Sequence, residues 1–161
     1  MRYIQRISSV SLESAEDILQ EVFIKVYRNL NDYDPQFSFS PWIYRIAHNE
    51  TINSFKKLNK LKTIPLETDE KDAAQLIQML QSDDDLPQAL ATKEHQEKVQ
   101  SALQLLTPAY RDVLILRYLE DMDYQQISDV LHKPIGTVAT LINRAKYQFK
   151  DIALKLNLKP L

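Results

Sequence analysis

Near its C-terminal end the chain reads Tyr124-Gln-Gln-Ile-Ser-Asp-Val-Leu-His-Lys-Pro-Ile-Gly-Thr-Val-Ala-Thr-Leu-Ile-Asn-Arg-Ala-Lys146: a helical pattern, a tight break, then a second helical pattern. The segment predicts a helix-turn-helix. Ile127 and Leu131 on the first helix, and Val138, Leu141, Ile142 and Ala145 on the second, supply an apolar seam that packs the two at a fixed crossing. One face of the second helix is then left for a groove. Thr137, Ala139, Thr140, Asn143, Arg144 and Lys146 line that outward face, where small or polar side chains permit close approach to base edges and phosphates.

A single glycine, Gly136, in 161 residues excludes Gly-rich phosphate loops, and the long charged stretches fit an all-α chain. That length suits one ordinary domain or two small ones, and the patterns below favour two small helical domains. With no cysteine, a disulfide frame, a thiolate metal site and a cysteine nucleophile are all excluded. His48, His95 and His132 are scattered without a second ligand at metal-binding spacing, so neither a metal nor another cofactor is expected. No apolar run is long enough to cross a bilayer, and Met1-Arg-Tyr-Ile-Gln-Arg-Ile7 lacks a secretory apolar core. A cytoplasmic chain without membrane insertion is the expectation.

The net charge of -2 hides a partition: residues 1–62 carry +2, residues 63–97 carry -7 and residues 98–161 carry +3. An acidic middle between mildly basic ends suits a linker joining two modules that each meet a polyanion. Charge alone equally allows a solvated acidic loop.

In the first module, Ser14-Ala-Glu-Asp17 reads as a capping box with Asp in the Glu position. It opens a helix with Ile18, Val22, Val26 and Leu30 at near-helical spacing, ending near Asn31. Asn31-Asp-Tyr-Asp-Pro35 is turn chemistry, and Ser40-Pro41 places a cap and a first-turn proline before Trp42. The next helix runs to about Lys62. Ile43, Ile46, Ala47 and Ile52 form its expected buried stripe, and Arg45, His48, Asn49, Asn53, Lys56 and Lys57 its polar, partly basic face. Phe37, Phe39, Trp42 and Tyr44 cluster around its start. Aromatics beside basic groups can stack on unpaired bases, yet at a helix start they more often anchor a core, and on composition the core reading leads.

Residues 63–85 lack a sustained helical period and hold Pro65 and Asp83-Asp-Asp85, which reads as a flexible acidic linker with room for a short amphipathic turn from Ala73 to Leu80. Helical signals return at Leu86. Val99, Leu103 and Leu106 make an apolar face, Thr107-Pro108 starts a helix through Leu119, and Asp123 caps the first helix of the helix-turn-helix. The last helix continues through Phe149, Ile152 and Leu156. The expected division is a helical domain at 1–62, a linker at 63–85 and a helix-turn-helix domain at 86–161.

Four segments occur in an order and spacing that resembles the bacterial extracytoplasmic-function (ECF) sigma factors: Ala15-Glu-Asp-Ile-Leu-Gln-Glu-Val-Phe23, Phe39-Ser-Pro-Trp-Ile-Tyr-Arg-Ile-Ala-His-Asn49, Leu106-Thr-Pro-Ala-Tyr-Arg-Asp-Val-Leu114 and Pro134-Ile-Gly-Thr-Val138. Nearly the whole chain is covered. The Gly-Thr-Val segment by itself also resembles response-regulator output domains; the four in register point to the sigma family.

The resemblance implies a two-domain initiation factor, not an enzyme, that binds core RNA polymerase, directs it to promoter DNA and opens the duplex. It places polymerase contacts at Asp17, Gln20 and Glu21, with Phe23 packing beside them. The plainer reading of these acids is a first helical turn favoured by the helix dipole. Trp42, Tyr44, Arg45, Asn49, Asn53, Lys56 and Lys57 correspond to the segment that captures and opens the minus-ten element. Trapping an extruded base and holding the single strand on basic and aromatic groups offsets the cost of unpairing without ATP. Lys56 and Lys57 would meet phosphates, and Asn49 and Asn53 base edges. The helix from Ile135 corresponds to the minus-thirty-five reader, with Lys133, Thr137, Thr140, Asn143, Arg144 and Lys146 facing DNA. A cognate anti-sigma protein is a further implied partner.

The chain departs from the family pattern in places. Ala139-Thr140-Leu141 stand where many members carry Lys-Ser-Arg, leaving Arg144 and Lys146 as the main cations of that helix. His132-Lys133 occupy a turn where Gly is frequent; His tolerates a positive φ better than most side chains, and Lys133 is placed for a phosphate. Asn53 replaces a common Asp, and with fourteen residues before Ala15 the usual first helix looks truncated. Two readings from other classes also fit: a helix-turn-helix repressor or activator that acts without being a polymerase subunit, and a helical adaptor that binds only protein.

Overall fold

The computed structural model describes residues 1–8, 10–59, 93–156 and 158, and every regular element among them is helical. In order these are α1 (Arg2–Ser8), α2 (Leu12–Arg28), a 3-10 turn (Leu30–Asp32), α3 (Phe39–Asn59), α4 (Lys93–Gln104), α5 (Pro108–Leu114), a π-helical turn (Ile115–Leu119), α6 (Tyr124–Leu131) and α7 (Ile135–Lys155). The expected linker at 63–85 and the end of α3 near Lys62 lie outside the described residues.

Tyr3, Ile4 and Ile7 bury one face of α1, which is too short to be stable from its own hydrogen bonds. α2 begins ahead of the predicted capping box. Its N-cap is Ser11, whose hydroxyl accepts from the Ser14 N–H at 3.2 Å, so Ser14 lies inside the first turn. The helix ends at Arg28 rather than near Asn31, because the chain tightens into the 3-10 turn and leaves Leu30 exposed.

α3 likewise starts early, at Phe39, with Pro41 in the first turn where its missing N–H has no partner to lose. Its most buried positions are Pro41, Ala47 and Thr51, with Tyr44, Ile46 and His48 partly buried beside them. The predicted stripe is therefore corrected: Ile43 and Ile52 are only half-buried. Small residues at 47 and 51 let neighbouring helices approach, and the Thr51 hydroxyl is satisfied by donating to the Ala47 carbonyl at 2.7 Å.

The helix predicted from Pro108 through Leu119 changes at Ile115 into the π-helical turn. Asp112, Val113, Leu114, Ile115 and Leu116 are all buried, a consecutive run that one face of a regular helix cannot cover. Asp123 then caps α6 in a reciprocal capping box with Gln126, and His132 takes the left-handed conformation at φ 51° and ψ 45°. Ile127, Val138, Ile142 and Ala145 form the buried seam. Ala139, expected on the outward face, is buried too: its place round α7 falls next to Ile142.

Both modules share one apolar cluster. α1 packs on α2 and α3 at one side and on α5 and the π-helical turn at the other, while α3 lies along α6. Arg111 fastens the corner between them. Its guanidinium donates to the carbonyls of Leu103 (3.0 Å), Gln104 (2.9 Å), Leu106 (3.1 Å) and Ile7 (3.1 Å), satisfying acceptors at the ends of both α4 and α1.

Candidate nucleic-acid interface

α2 commits Ala15, Ile18 and Val22 to the core and presents Asp17, Gln20, Glu21 and Phe23 on its opposite side. Phe23 is 65% exposed and so is not a core aromatic. The sequence reading missed its neighbours Ile24 and Tyr27, the latter 83% exposed. Their signal was available: Ile24 falls four residues from Gln20 and Tyr27 four from Phe23, both off the stripe of Ile18, Val22 and Val26. Together these residues make an apolar band flanked by carboxylates.

On α3, Trp42, Arg45, Asn49, Asn53 and Lys56 fall along one side at helical spacing, with Lys57 adjacent. Asn49, Asn53, Lys56 and Lys57 are exposed, and Lys25, Asn29, Ile46, His48, Glu50 and Ile52 join Asn49, Asn53 and Lys56 around an open cleft of about 430 Å³. Lys25 pairs with Glu50 across it. At the head of the helix Trp42 stacks on Phe39 at 5.5 Å, and Tyr33 meets both rings, at 5.0 Å and 5.4 Å. Phe37 and Phe39 are exposed, so the core reading is corrected for this surface stack, while Tyr44 packs against the core as expected.

Tyr44 is set apart from this group. It lies on the other flank of α3, edge-on to Tyr3 at 5.0 Å, and its hydroxyl donates to Glu120. Burial first, and then that hydrogen bond and the charge of Glu120, push the Tyr44 hydroxyl up to about 12.

In the helix-turn-helix, Thr137, Thr140 and Arg144 line one stripe of α7, with Asn143 at its margin and exposed Tyr147 continuing it. The Thr140 hydroxyl donates to the Gly136 carbonyl at 2.9 Å, leaving mainly its methyl for a neighbour. Exposed Lys146 stands roughly 160° round the helix from Arg144, so the two cannot meet the same groove wall. Lys133 is exposed in the turn, where the Ser128 hydroxyl donates to its carbonyl at 2.6 Å. Its charge also reaches inward and disfavours a proton on His48.

Residues 1–61 match the family model described as Sigma-70 region 2, and residues 96–149 match Sigma-70, region 4. The ECF RNA polymerase sigma factor SigW of Bacillus subtilis (strain 168) is 32% identical over 137 residues, covering 84% of this chain and 73% of that protein. The chain belongs to the ECF sigma factors. Another relative, the RNA polymerase sigma-H factor of Pseudomonas aeruginosa, is 31% identical over 140 residues, 83% of this chain and 70% of its own. Among solved structures, the sigma factor RpoE in complex with the anti-sigma factor NepR from Bartonella quintana superposes at a TM-score of 0.68 with 20% identity, over 96% of this chain and 88% of that one. CnrH in complex with the cytosolic domain of CnrY gives 0.63 at 19% identity, over 94% and 79%. These two establish the likeness of fold.

For this ECF sigma factor the described residues hold no helix long and apolar enough to cross a membrane. They also hold no group of three or more His, Asp or Glu placed to bind a metal ion.

Proposed function

We propose that this ECF sigma factor docks on core RNA polymerase through the exposed side of α2 and carries promoter DNA on α3 and α7. The observation that carries the reading is the band of Phe23, Ile24 and Tyr27 beside Asp17, Gln20 and Glu21, on a helix whose other side is wholly used in the core. An apolar band with an acidic rim suits a protein surface that supplies matching cations.

In this reading the minus-ten element meets the cleft and the aromatic stack of α3. Lys56 and Lys57 hold phosphates, Asn49 and Asn53 face bases, and Trp42 with Arg45 supports an unpaired base. Tyr44 contributes only once its hydroxyl leaves Glu120. The minus-thirty-five element meets Thr137, Thr140, Asn143 and Arg144, with Lys133 on a phosphate and Lys146 on a more distant one. The factor acts by binding, performs no covalent chemistry, and works in the cytoplasm as a domain at 1–62, a tether at 63–85 and a domain at 86–161. That RpoE is bound to an anti-sigma protein supports such a partner here as well.

Reconstituted transcription tests the proposal: bacterial core polymerase with and without the chain, on a promoter library. New start sites sharing two spaced motifs are the expected result. Absence of polymerase-dependent starts, together with tight DNA binding by the chain alone, would favour a repressor or activator instead.

A further inference from the structure

From Ile135 to Asn143, α7 carries no charged side chain. Val138, Ala139 and Ile142 of that stretch are buried in the seam, which leaves Thr137, Thr140 and Asn143 with surface open toward a groove. The first cation, Arg144, begins about 6 Å beyond Thr140 along the axis, at roughly 1.5 Å per residue. The commonest base-specific contact, an Arg or Lys forked onto guanine, therefore has no donor in the first two turns of α7. Those are the turns that meet base edges when a helix-turn-helix docks.

Thr140 lies in the second of these turns, and the fold narrows its chemistry. A hydroxyl that rotates freely donates to or accepts from any base edge and discriminates little. Here it donates to the Gly136 carbonyl at 2.9 Å, inside its own helix. That bond selects one staggered rotamer of a β-branched side chain, and with it the direction of the methyl group. Of the four bases, only thymine carries a methyl group on its major-groove edge. A methyl fixed on the protein thus has one apolar counterpart in the groove.

We propose that this factor reads its upstream promoter element through the C5-methyl group of a thymine packed against the Thr140 methyl, so that an A·T pair stands under the second turn of α7. This rests on the reading of α7 as the helix that meets the minus-thirty-five element. Thr140 is then a specificity-determining residue whose hydroxyl serves only to aim its methyl. Lys133 and Arg144, at either end of the uncharged stretch, add charge that strengthens binding without choosing this base. Asn143 stands about 4.5 Å further along the axis than Thr140, more than one base-pair step of about 3.4 Å, and so faces a neighbouring pair.

The test uses holoenzyme assembled from core polymerase and the full chain, on a promoter selected from the transcription library. Each thymine of the upstream element is replaced in turn by deoxyuridine, which keeps every hydrogen-bonding group and removes only the methyl. One replacement should weaken binding about 3-fold to 5-fold, as the loss of one buried methyl does, and the others should have little effect. Thr140→Ser keeps the hydroxyl and removes the methyl; it should lose the same factor on the thymine template and bind both templates alike. Thr140→Val keeps a methyl at that place without the hydroxyl and should retain the thymine preference. An effect of deoxyuridine on groove shape would persist in Thr140→Ser, so the cycle separates shape from contact. Melting curves check that both variants fold. The proposal is overturned if the upstream element holds no thymine, if every deoxyuridine template binds like its parent, or if the preference survives in Thr140→Ser. Duplex binding by the chain alone tells the two failures apart: a thymine preference carried by Thr140 without polymerase-dependent transcription keeps the methyl contact and sinks the sigma reading. Transcription with no such preference does the reverse.

Discussion

His48 Nε2 lies 4.0 Å from Asp112 Oδ2 in the seam between the modules, and the Tyr3 hydroxyl lies 3.1 Å from His48 Nδ1. In water the first two would carry opposite charges at pH 6; here both are driven toward neutrality. Burial, helped by Lys133, lowers His48 to about 4, and burial raises Asp112 to about 7 against the pull of Arg111 and Lys133. Tyr3 donates to or accepts from Nδ1 according to which ring nitrogen of the neutral imidazole carries its proton, and Nε2 faces the carboxyl group. The separation is too long for a hydrogen bond. The pair is a largely buried contact between two mostly neutral groups rather than an ion pair.

The two groups oppose each other in their effect on pH stability. Asp112, raised in the fold, stabilises it on the acid side and loses that contribution as pH climbs toward 7. His48, lowered in the fold, stabilises it above its ordinary value of 6.5 and loses that contribution as pH falls toward 4. Between those limits the wild type should change little on their account. Asp112→Asn leaves His48 alone, so stability should rise with pH by up to about 1.4 kcal/mol per unit, and His48→Gln should show the reverse slope. Denaturation midpoints at pH 4.5, 5.5 and 6.5 measure both; parallel profiles for the two variants would remove the assignment.

Arg111→Ala should destabilise the chain by about 3 kcal/mol, because one guanidinium satisfies four carbonyls and its removal leaves helix-end acceptors without a partner. Arg111→Lys should recover little, since a single ammonium cannot fork to the ends of α1 and α4 together. Urea midpoints of the three proteins decide it. A lysine variant as stable as the wild type would mean that charge rather than geometry is what matters there.

His132→Gly should raise stability by several tenths of a kcal/mol, up to about 1, by relieving a side chain held at φ 51°. His132→Val should cost more than 1 kcal/mol, roughly, since a β-branched residue resists that conformation. Thermal melts at pH 7.5 compare the two. Equal melting temperatures would show that the turn relaxes out of the left-handed region at no cost.

The helices were legible because local rules governed them. The seam of Ile127, Val138, Ile142 and Ala145 follows from spacing, the Asp123 cap from its side chain, and the left-handed turn from His132 standing where the chain reverses. Ser11 was hidden behind Ser14, a second good cap three residues on, and only tertiary burial of Tyr3, Ile4 and Ile7 decides where α1 stops and α2 begins. The π-helical turn answers a run of five buried residues, a demand set by neighbours on several sides. The partnership of Tyr44 with Glu120, 76 residues away, depends on how two modules meet, and no local pattern encodes it. The aromatic cluster went the other way: composition favours a core, but α3 turns Phe37 and Phe39 to water and saves its inner face for Ala47 and Thr51.

The α2 face gives a prediction that separates function from folding. Phe23→Ala and Tyr27→Ala remove exposed rings, so each should leave the melting temperature nearly unchanged and weaken polymerase binding about 10-fold to 100-fold. Asp17→Ala and Gln20→Ala should weaken it less, as rim groups do. Titration of labelled chain with core polymerase measures all four. Full affinity in Tyr27→Ala would move the docking surface off this side of α2.

Exposed Lys56 and Lys57 stand at the last turn of α3, beyond the aromatic stack, with Lys56 on the wall of the cleft and Lys57 beside it, where a displaced strand leaving that cleft would run. On the proposed reading, replacing both with alanine removes two phosphate contacts. The slope of log affinity against log salt for the minus-ten strand should become shallower by about 1.4, given roughly 0.7 released counterions per contact with a single strand. Open-complex formation should slow while binding to an upstream duplex holds. Arg144→Ala should do the opposite, weakening capture of minus-thirty-five duplex and sparing the opening rate on a pre-melted template. Stopped-flow opening kinetics and salt titrations on the two templates resolve these effects. If both variants lose the same function to the same extent, α3 and α7 do not divide the promoter between them.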